Sequence, residues 1–218
     1  MDRSSRNRLN ERHLEHFSGE SLFDKIARTV CRAGCLPRKE LYEAWEVARR
    51  VRRRLTGHRI IDMACGHGLL AQIMLLLDDS IPEAIAIDRT IPKSAASLAK
   101  VMAEEWPQLA NKVKFREADI SEIKIEHNDM LLSVHGCGSL TDQIIEMAIE
   151  ANTTVALLPC CHNLKQSDMG SLEGWMEGTL AVDATRVARL RAAGYTVVTQ
   201  EIPYDITVKN RLLIASPG

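Results

Sequence analysis

Aromatic residues are scarce. Three Trp, three Tyr and three Phe make up 4% of 218 residues, which argues against a broad base-stacking platform. Long apolar runs are missing too. No window approaches the roughly 20 apolar residues of a membrane span, and Met1-Asp2-Arg3-Ser4-Ser5-Arg6 leads into no apolar signal segment. The expectation is a cytoplasmic protein without a membrane partner. Its six cysteines are then reduced thiols rather than a disulfide framework. Internal repeats and low-complexity stretches are absent as well, which excludes solenoids and linker-rich chains.

What is present is an uneven charge. Residues 1–60 carry 15 Lys/Arg and 8 Asp/Glu, and the remainder 13 and 21, so a net of −1 hides a basic N-terminal quarter on an acidic body. Such asymmetry marks either a polyanion-binding face or a solvated helix surface. Residues 1–19 show no period and read as a mobile tail. Ser21 can cap a helix with Leu22, Ile26, Val30 and Ala33 on its apolar face, ended by Gly34. A second helix follows Pro37, with Leu41, Trp45, Ala48, Val51 and Leu55 on one side. Arg49, Arg50, Arg52, Arg53 and Arg54 lie on the other, and Gly57 stops it. Residues 20–57 thus form a basic helical extension.

From residue 58 the period changes. Short apolar runs at 59–64, 84–88, 113–116, 129–134 and 154–158 alternate with helical segments at 69–77, 93–105, 140–151 and 183–193. Two runs, 196–202 and 206–215, then follow across Pro203-Tyr204-Asp205. Alternation implies βαβ units and a mostly parallel sheet. The final pair implies an antiparallel C-terminal strand. The expected class is α/β, a Rossmann-like seven-stranded sheet with helices on both faces, over residues 58–218.

Asp62-Met63-Ala64-Cys65-Gly66-His67-Gly68 stands where the first strand meets its helix. Small residues there let the backbone turn sharply and approach a ligand at the C-terminal edge of the sheet. A G-x-G-x-x-G pyrophosphate cradle is not present. Asp88, ending the second strand, can accept from both ribose hydroxyls of a nucleoside, and Asp119, ending the third, can receive an adenine amino group. Each Asp alone reads equally as a helix cap. Three at successive strand ends favour a nucleoside ligand, NAD or S-adenosylmethionine (SAM).

Cysteine and histidine gather at three strand ends: Cys65-Gly66-His67, His135-Gly136-Cys137-Gly138 and Cys160-Cys161-His162-Asn163. If the first, fourth and fifth strands are adjacent, these groups converge on one cleft. A zinc site has the right residue types, but no C-x₂-C or H-x₃-H pair exists and two candidates lie in the ligand turn, so no metal is expected. His135, Cys160, Cys161 and His162 are candidates for catalysis or substrate positioning. Buried structural thiols are the bland alternative.

Asp-Met-Ala-Cys-Gly-His-Gly resembles motif I of class I SAM-dependent methyltransferases. Ala-Ile-Ala-Ile-Asp88 resembles their acidic second motif, and Glu117-Ala118-Asp119-Ile120 their third. The resemblance spans roughly 58–215. It implies SAM as cofactor, with Ala64, Cys65, Gly66 and Gly68 along its methionine and ribose side and Asp62 near its amino group. It also implies Asp88 and Arg89 at the ribose, Asp119 and Ile120 at adenine, and His135 bordering the site. The strings His135-Gly-Cys-Gly-Ser-Leu-Thr-Asp142, Pro159-Cys-Cys-His162 and Ile206-Thr-Val-Lys-Asn-Arg211 resemble a narrower subgroup. It includes tRNA 2′-O-methyltransferases and methyltransferase-like proteins of less settled substrate. The substrate does not follow from the resemblance; the leading expectation is methyl transfer to RNA, with Arg49 to Arg54 and the basic extension holding its phosphates. Against it stand a small-molecule or protein acceptor, with Trp175 and Met176 on a lid over 160–182, and a non-catalytic SAM-binding scaffold.

Overall fold

The computed structural model describes residues 2–54 and 57–218. The first two helices are α1 (Leu22–Ala33) and α2 (Arg38–Arg52). Ser21 Oγ accepts from Asp24 N to start α1, and Gly34, at φ 66°, ends it, since only glycine enters that region without cost. Helix α2 closes at Arg53; Leu55, expected at its last apolar position, lies outside the described residues.

Residues 2–19, in the stretch expected as a mobile tail, pack onto these helices. Asn10 caps a 3-10 helix over Glu11–Phe17, and Leu9 and Phe17 are buried in the same core as α1 and α2. The physical reason lies at the start of α2. Its N-cap is Pro37, which offers no side-chain acceptor, so the first N–H groups need partners from elsewhere. The tail supplies them: Arg38 N donates to Asn7 O and Lys39 N to Ser5 O, both at 3.0 Å.

Beyond residue 58 the chain alternates as expected. The strands are β1 (Arg59–Met63), β2 (Ala84–Asp88), β3 (Val113–Glu117), β4 (Asp129–Ser133), β5 (Thr154–Leu157), β6 (Tyr195–Glu201) and β7 (Arg211–Pro217). Between them run α3 (Leu69–Leu77), α4 (Lys93–Glu105), the single turn α5 (Leu109–Lys112), α6 (Ser139–Ala151) and α7 (Gly178–Ala192). The sheet order is β3-β2-β1-β4-β5-β7-β6. Strands β1 to β5 are parallel, and β7 runs antiparallel between β5 and β6. The order reverses between β1 and β4, where α/β sheets open a ligand crevice.

Each sheet face buries its own core. One joins α1 to α4 through Leu41, Val47, Ile73, Met74 and Leu98 onto Leu132 and Ile214. The other packs Ile144, Ile145 and Leu190 of α6 and α7 onto Ile61, Met63 and Leu131. Removing that apolar surface from water is the dominant favourable term.

Two boundaries differ from expectation. Helix α7 begins at Gly178 rather than Asp183. Glu177 caps it, accepting from Thr179 N and Leu180 N, and glutamate is not among the residues that signal an N-cap. Strand β7 begins at Arg211 rather than Ile206. Ile206 is fully buried but anchors a wide loop, which closes where Ile202 N donates to Asn210 O at 2.9 Å.

Candidate active site

The turn after β1 has the backbone its small residues allow. Ala64, Gly66 and Gly68 sit at φ 57°, 51° and 67°. At Gly68 a Cβ would lie 2.6 Å from Phe115 Cε1, so the strand below leaves no room for a side chain. Asp88 fastens the turn from β2, with Oδ2 accepting from Gly66 N at 2.9 Å.

Ala64, Asp88, Arg89, Ile120, Cys137, Ser139, Leu140 and Gln143 line a cleft of about 280 Å³. It opens at the switch point, with walls from the ends of β1, β2 and β4. Asp119 stands beside it on Arg89: Nε of Arg89 donates to Asp119 Oδ2 at 2.8 Å. Its other oxygen caps a 3-10 turn by accepting from Ser121 N and Oγ. Those Ser121 bonds, with Arg89, lower the carboxyl to about 2. Asp119 thus spends its carboxylate on capping, and Ile120 is the residue of that pair that faces the cleft.

On the far side of Ala64 lies a tighter pocket lined by Glu40, Asp62, Cys65, His67 and His135. Asp62 is buried and accepts from Ala71 N at 3.2 Å. Burial, with the nearby Asp88 charge, pushes its carboxyl up to about 7. Glu43 of α2 is 2% exposed; Lys39 Nζ holds one of its oxygens at 2.9 Å, and Oε2 is buried without a hydrogen-bond partner. That orphan oxygen faces His135 Nε2 at 3.9 Å. Burial lowers the His135 pKa below its usual value, leaving a neutral imidazole able to accept a proton at neutral pH. Burial likewise raises the Glu40 carboxyl. The helix pattern of α2 gave no sign of Glu40 or Glu43, because charged positions on an amphipathic helix read as solvent-facing.

The Cys/His gathering resolves into separate places. Cys137, Cys160 and Cys161 come together at the ends of β4 and β5. His162 turns away from them, its side chain 1% exposed and Nε2 2.8 Å from Asp183 Oδ1. His67 Nε2 pairs with Ser94 Oγ at 2.9 Å. Cys65 is tucked under the turn, where burial raises its thiol pKa. His135 shares the tight pocket with the glycine turn, whereas His162 belongs to an ion-pair network. Trp175 is 86% exposed, on the connection leading into α7.

The glycine turn, fastened by a strand-end carboxylate, lies at the switch point of a seven-stranded α/β sheet with an antiparallel β7, where such folds bind their ligands. A family model described as a methyltransferase domain matches residues 38–167, over half of the chain. The chain belongs to that family. The match begins at Arg38, the first residue of α2. No curated protein matches the sequence. Among solved structures, the SAM-dependent methyltransferase SibL in its apo form is 18% identical over 94% of this chain and 65% of its own, with a TM-score of 0.53. A putative RNA methyltransferase, PH1948 from Pyrococcus horikoshii, is 18% identical over 83% and 84%, at 0.50. The B. subtilis M1A22 tRNA methyltransferase TrmK is 18% identical over 79% and 65%, at 0.50. These likenesses show the fold. The chain spans just under two thirds of the length of SibL and TrmK.

The residues present fit SAM. Its ammonium and sulfonium are cations, and the tight pocket is lined by two carboxylates, Asp62 and Glu40, with the unpartnered Glu43 Oε2 behind His135. Its adenosine is flat and part polar, as the cleft between Asp88 and Ile120 requires.

Proposed function

We propose that this chain transfers the methyl group of SAM to RNA. SAM supplies the electrophilic methyl group. The chain's residues bind, orient and accept the proton: Asp88 holds the turn and the ribose side, Ile120 the adenine side, and His135 takes the proton of a hydroxyl acceptor. Orientation supplies much of the rate.

The observation that carries the RNA reading is the layout of α2. Its first turns line the pocket beside Ala64, through Glu40 and Ala44. Past its other end, Arg50, Arg53 and Arg54 line a separate cavity of about 260 Å³ with Gln200 of β6. Ten residues of helix separate Glu40 from Arg50, about 15 Å. A chain of RNA phosphates spans that distance. Arg49 and Arg50 both bond Glu46, so the free phosphate-binding capacity lies toward Arg53 and Arg54. The solved relatives TrmK and PH1948, by their names an RNA methyltransferase and a putative one, support the same reading at the level of fold.

A second cavity favours a different acceptor. It measures about 450 Å³ between α7 and β6–β7, lined by Pro159, Leu180, Asp183, Val187, Arg211 and Leu213 among others, which suits a small molecule. One experiment separates the two. Radiolabelled SAM is supplied with total cellular RNA, and in parallel with an RNA-free extract of small metabolites. Label in RNA is expected. Replacing Arg53 and Arg54 by Ala should weaken RNA binding and make the log–log salt slope shallower by about 1.4–1.8, since each phosphate contact contributes about 0.7–0.9. Label found only in metabolites, or a slope unchanged in the variant, overturns the RNA reading.

A further inference from the structure

Cys160 and Cys161 have no part in the arrangement described so far, and Cys137 only borders the cleft. Cys137 lies in the turn between β4 and α6, and the other two directly follow β5. The β4–β5 pairing brings Ser133 opposite Leu157, and two backbone bonds carry the alignment past the strand ends. Leu158 N donates to Ser133 O at 2.9 Å, and Gly138 N to Cys161 O at 3.1 Å. Gly138, at φ 58° and ψ −127°, folds the turn back in a conformation closed to residues with a side chain. Cys137 Sγ then lies 2.7 Å from Cys160 Sγ, Cys160 Sγ lies 3.7 Å from Cys161 Sγ, and all three sulfurs fall within 4.8 Å of one another. All six cysteines are free. The thiols stand against the N-terminus of α6, a thirteen-residue helix whose unpaired N–H groups favour negative charge there.

We propose that Cys137, Cys160 and Cys161 bind one Zn²⁺ ion as thiolates. Tetrahedral zinc with Zn–S bonds of about 2.3 Å sets its sulfurs about 3.8 Å apart. The Cys160–Cys161 separation already has that value, and Cys137 reaches it by moving outward about 1 Å. Soft thiolate ligands select zinc over the hard cations that prefer oxygen. No further His, Cys or carboxylate joins the three among the described residues, and His162 is held away by Asp183. The fourth position is therefore open, as in zinc sites that take a water or an incoming ligand atom. Cys137 also lines the 280 Å³ cleft, so the ion sits on its rim. The inference stands apart from the choice of methyl acceptor.

The test uses the reduced full-length chain stripped of metal and titrated with Co²⁺, then Zn²⁺. One equivalent of Co²⁺ should bind with sulfur-to-cobalt charge-transfer absorption in the near ultraviolet, and one equivalent of Zn²⁺ should erase it. Binding should release protons, because the ligands are thiolates. In the wild type, Zn²⁺ should protect Cys137, Cys160 and Cys161 from alkylation and leave Cys65 unprotected. Single Cys137→Ser and Cys161→Ser variants should each weaken Zn²⁺ binding at least tenfold, with Cys31→Ser unchanged. The alkylation pattern needs no variant, so misfolding of a variant does not blur the answer. Absence of the charge-transfer band, or Zn²⁺ binding without protection of these three thiols, overturns the proposal. So does a chain that re-forms a Cys137–Cys160 disulfide in the presence of Zn²⁺, two hydrogens lighter by mass.

Discussion

The Asp88 carboxylate accepts a hydrogen bond from the Gly66 backbone N–H at 2.9 Å. It ties the end of β2 to the glycine turn after β1 and leaves its other oxygen, which Thr90 N meets only at 3.4 Å, facing the cleft. A charge-assisted bond of this kind contributes about 1.5–3 kcal/mol. Asp88→Ala should therefore weaken SAM binding about 10- to 100-fold in a calorimetric titration and, because the bond to Gly66 N is lost with it, lower the melting temperature as well. Wild-type affinity in the variant would remove Asp88 from the donor site.

Asp62 carries a pH dependence with a definite sign. Burial pushes its carboxyl up to about 7, above the roughly 3.9 of a free aspartate. Between these values the folded protein keeps a proton that the unfolded chain has released. Stability of the ligand-free protein therefore falls as pH rises from about 4 to about 7, and the penalty is complete above 7. Asp62→Asn carries no charge and escapes it. The variant should be more stable than wild type at pH 8, on the order of 1–3 kcal/mol by urea unfolding, and equal at pH 4. SAM reverses the balance, since a cation beside Asp62 favours the carboxylate; its binding near pH 7 should release a proton. A stability difference that does not change between pH 4 and pH 8 would mean that Asp62 does not titrate in this range.

The parts of this molecule that a local pattern can encode were legible. Asp62, the small residues after it and Asp88 all stand at strand ends, and the alternation of apolar runs gave the seven strands. What depends on packing between distant segments was not. The 3-10 helix over Glu11–Phe17 is seven residues long, too short to present a period, so Leu9 and Phe17 read as isolated apolar residues in a polar tail. Glu43 looks like any solvated helix charge until α2 is laid against the end of β1. The cysteines and histidines were rightly placed at adjacent strand ends, yet strand order does not say which way a side chain turns. His162 follows Cys161 directly and faces Asp183 of α7 instead.

Gly68 combines two constraints that a substitution can separate. Its φ of 67° disfavours any side chain, and a Cβ would meet Phe115 Cε1 at 2.6 Å. Gly68→Ala should lose about 2–4 kcal/mol of stability, part from the left-handed backbone and part from overpacking. Adding Phe115→Leu relieves the overlap but not the backbone cost. The double variant should recover part of the loss in urea unfolding, and no more than part. Full recovery would assign the whole cost to the ring, and none would assign it to the backbone.

Arg186 is the most telling test of how α6, α7 and the β4 turn are held together. Its side chain is 2% exposed. Nε and Nη2 donate to the two oxygens of Asp142 at 2.8 and 2.9 Å, Nη1 to Asp183 at 3.2 Å, and Nη2 also to Gly138 O at 3.1 Å. Removing the guanidinium takes both bonds from Asp142, which is part exposed, and one from Gly138 O, while Asp183 keeps His162 and Arg211; losing a charge-assisted fork of this kind costs about 1.5–3 kcal/mol. Arg186→Ala should show that loss in urea unfolding. Arg186→Lys should recover less than half of it, because one ammonium cannot reproduce a fork that meets Asp142 with two parallel bonds. Since Gly138 carries the turn that positions Cys137, both variants should also weaken metal binding at the three cysteines before global unfolding begins. A lysine variant as stable as wild type would show that charge alone, rather than the geometry of the fork, joins the two helices.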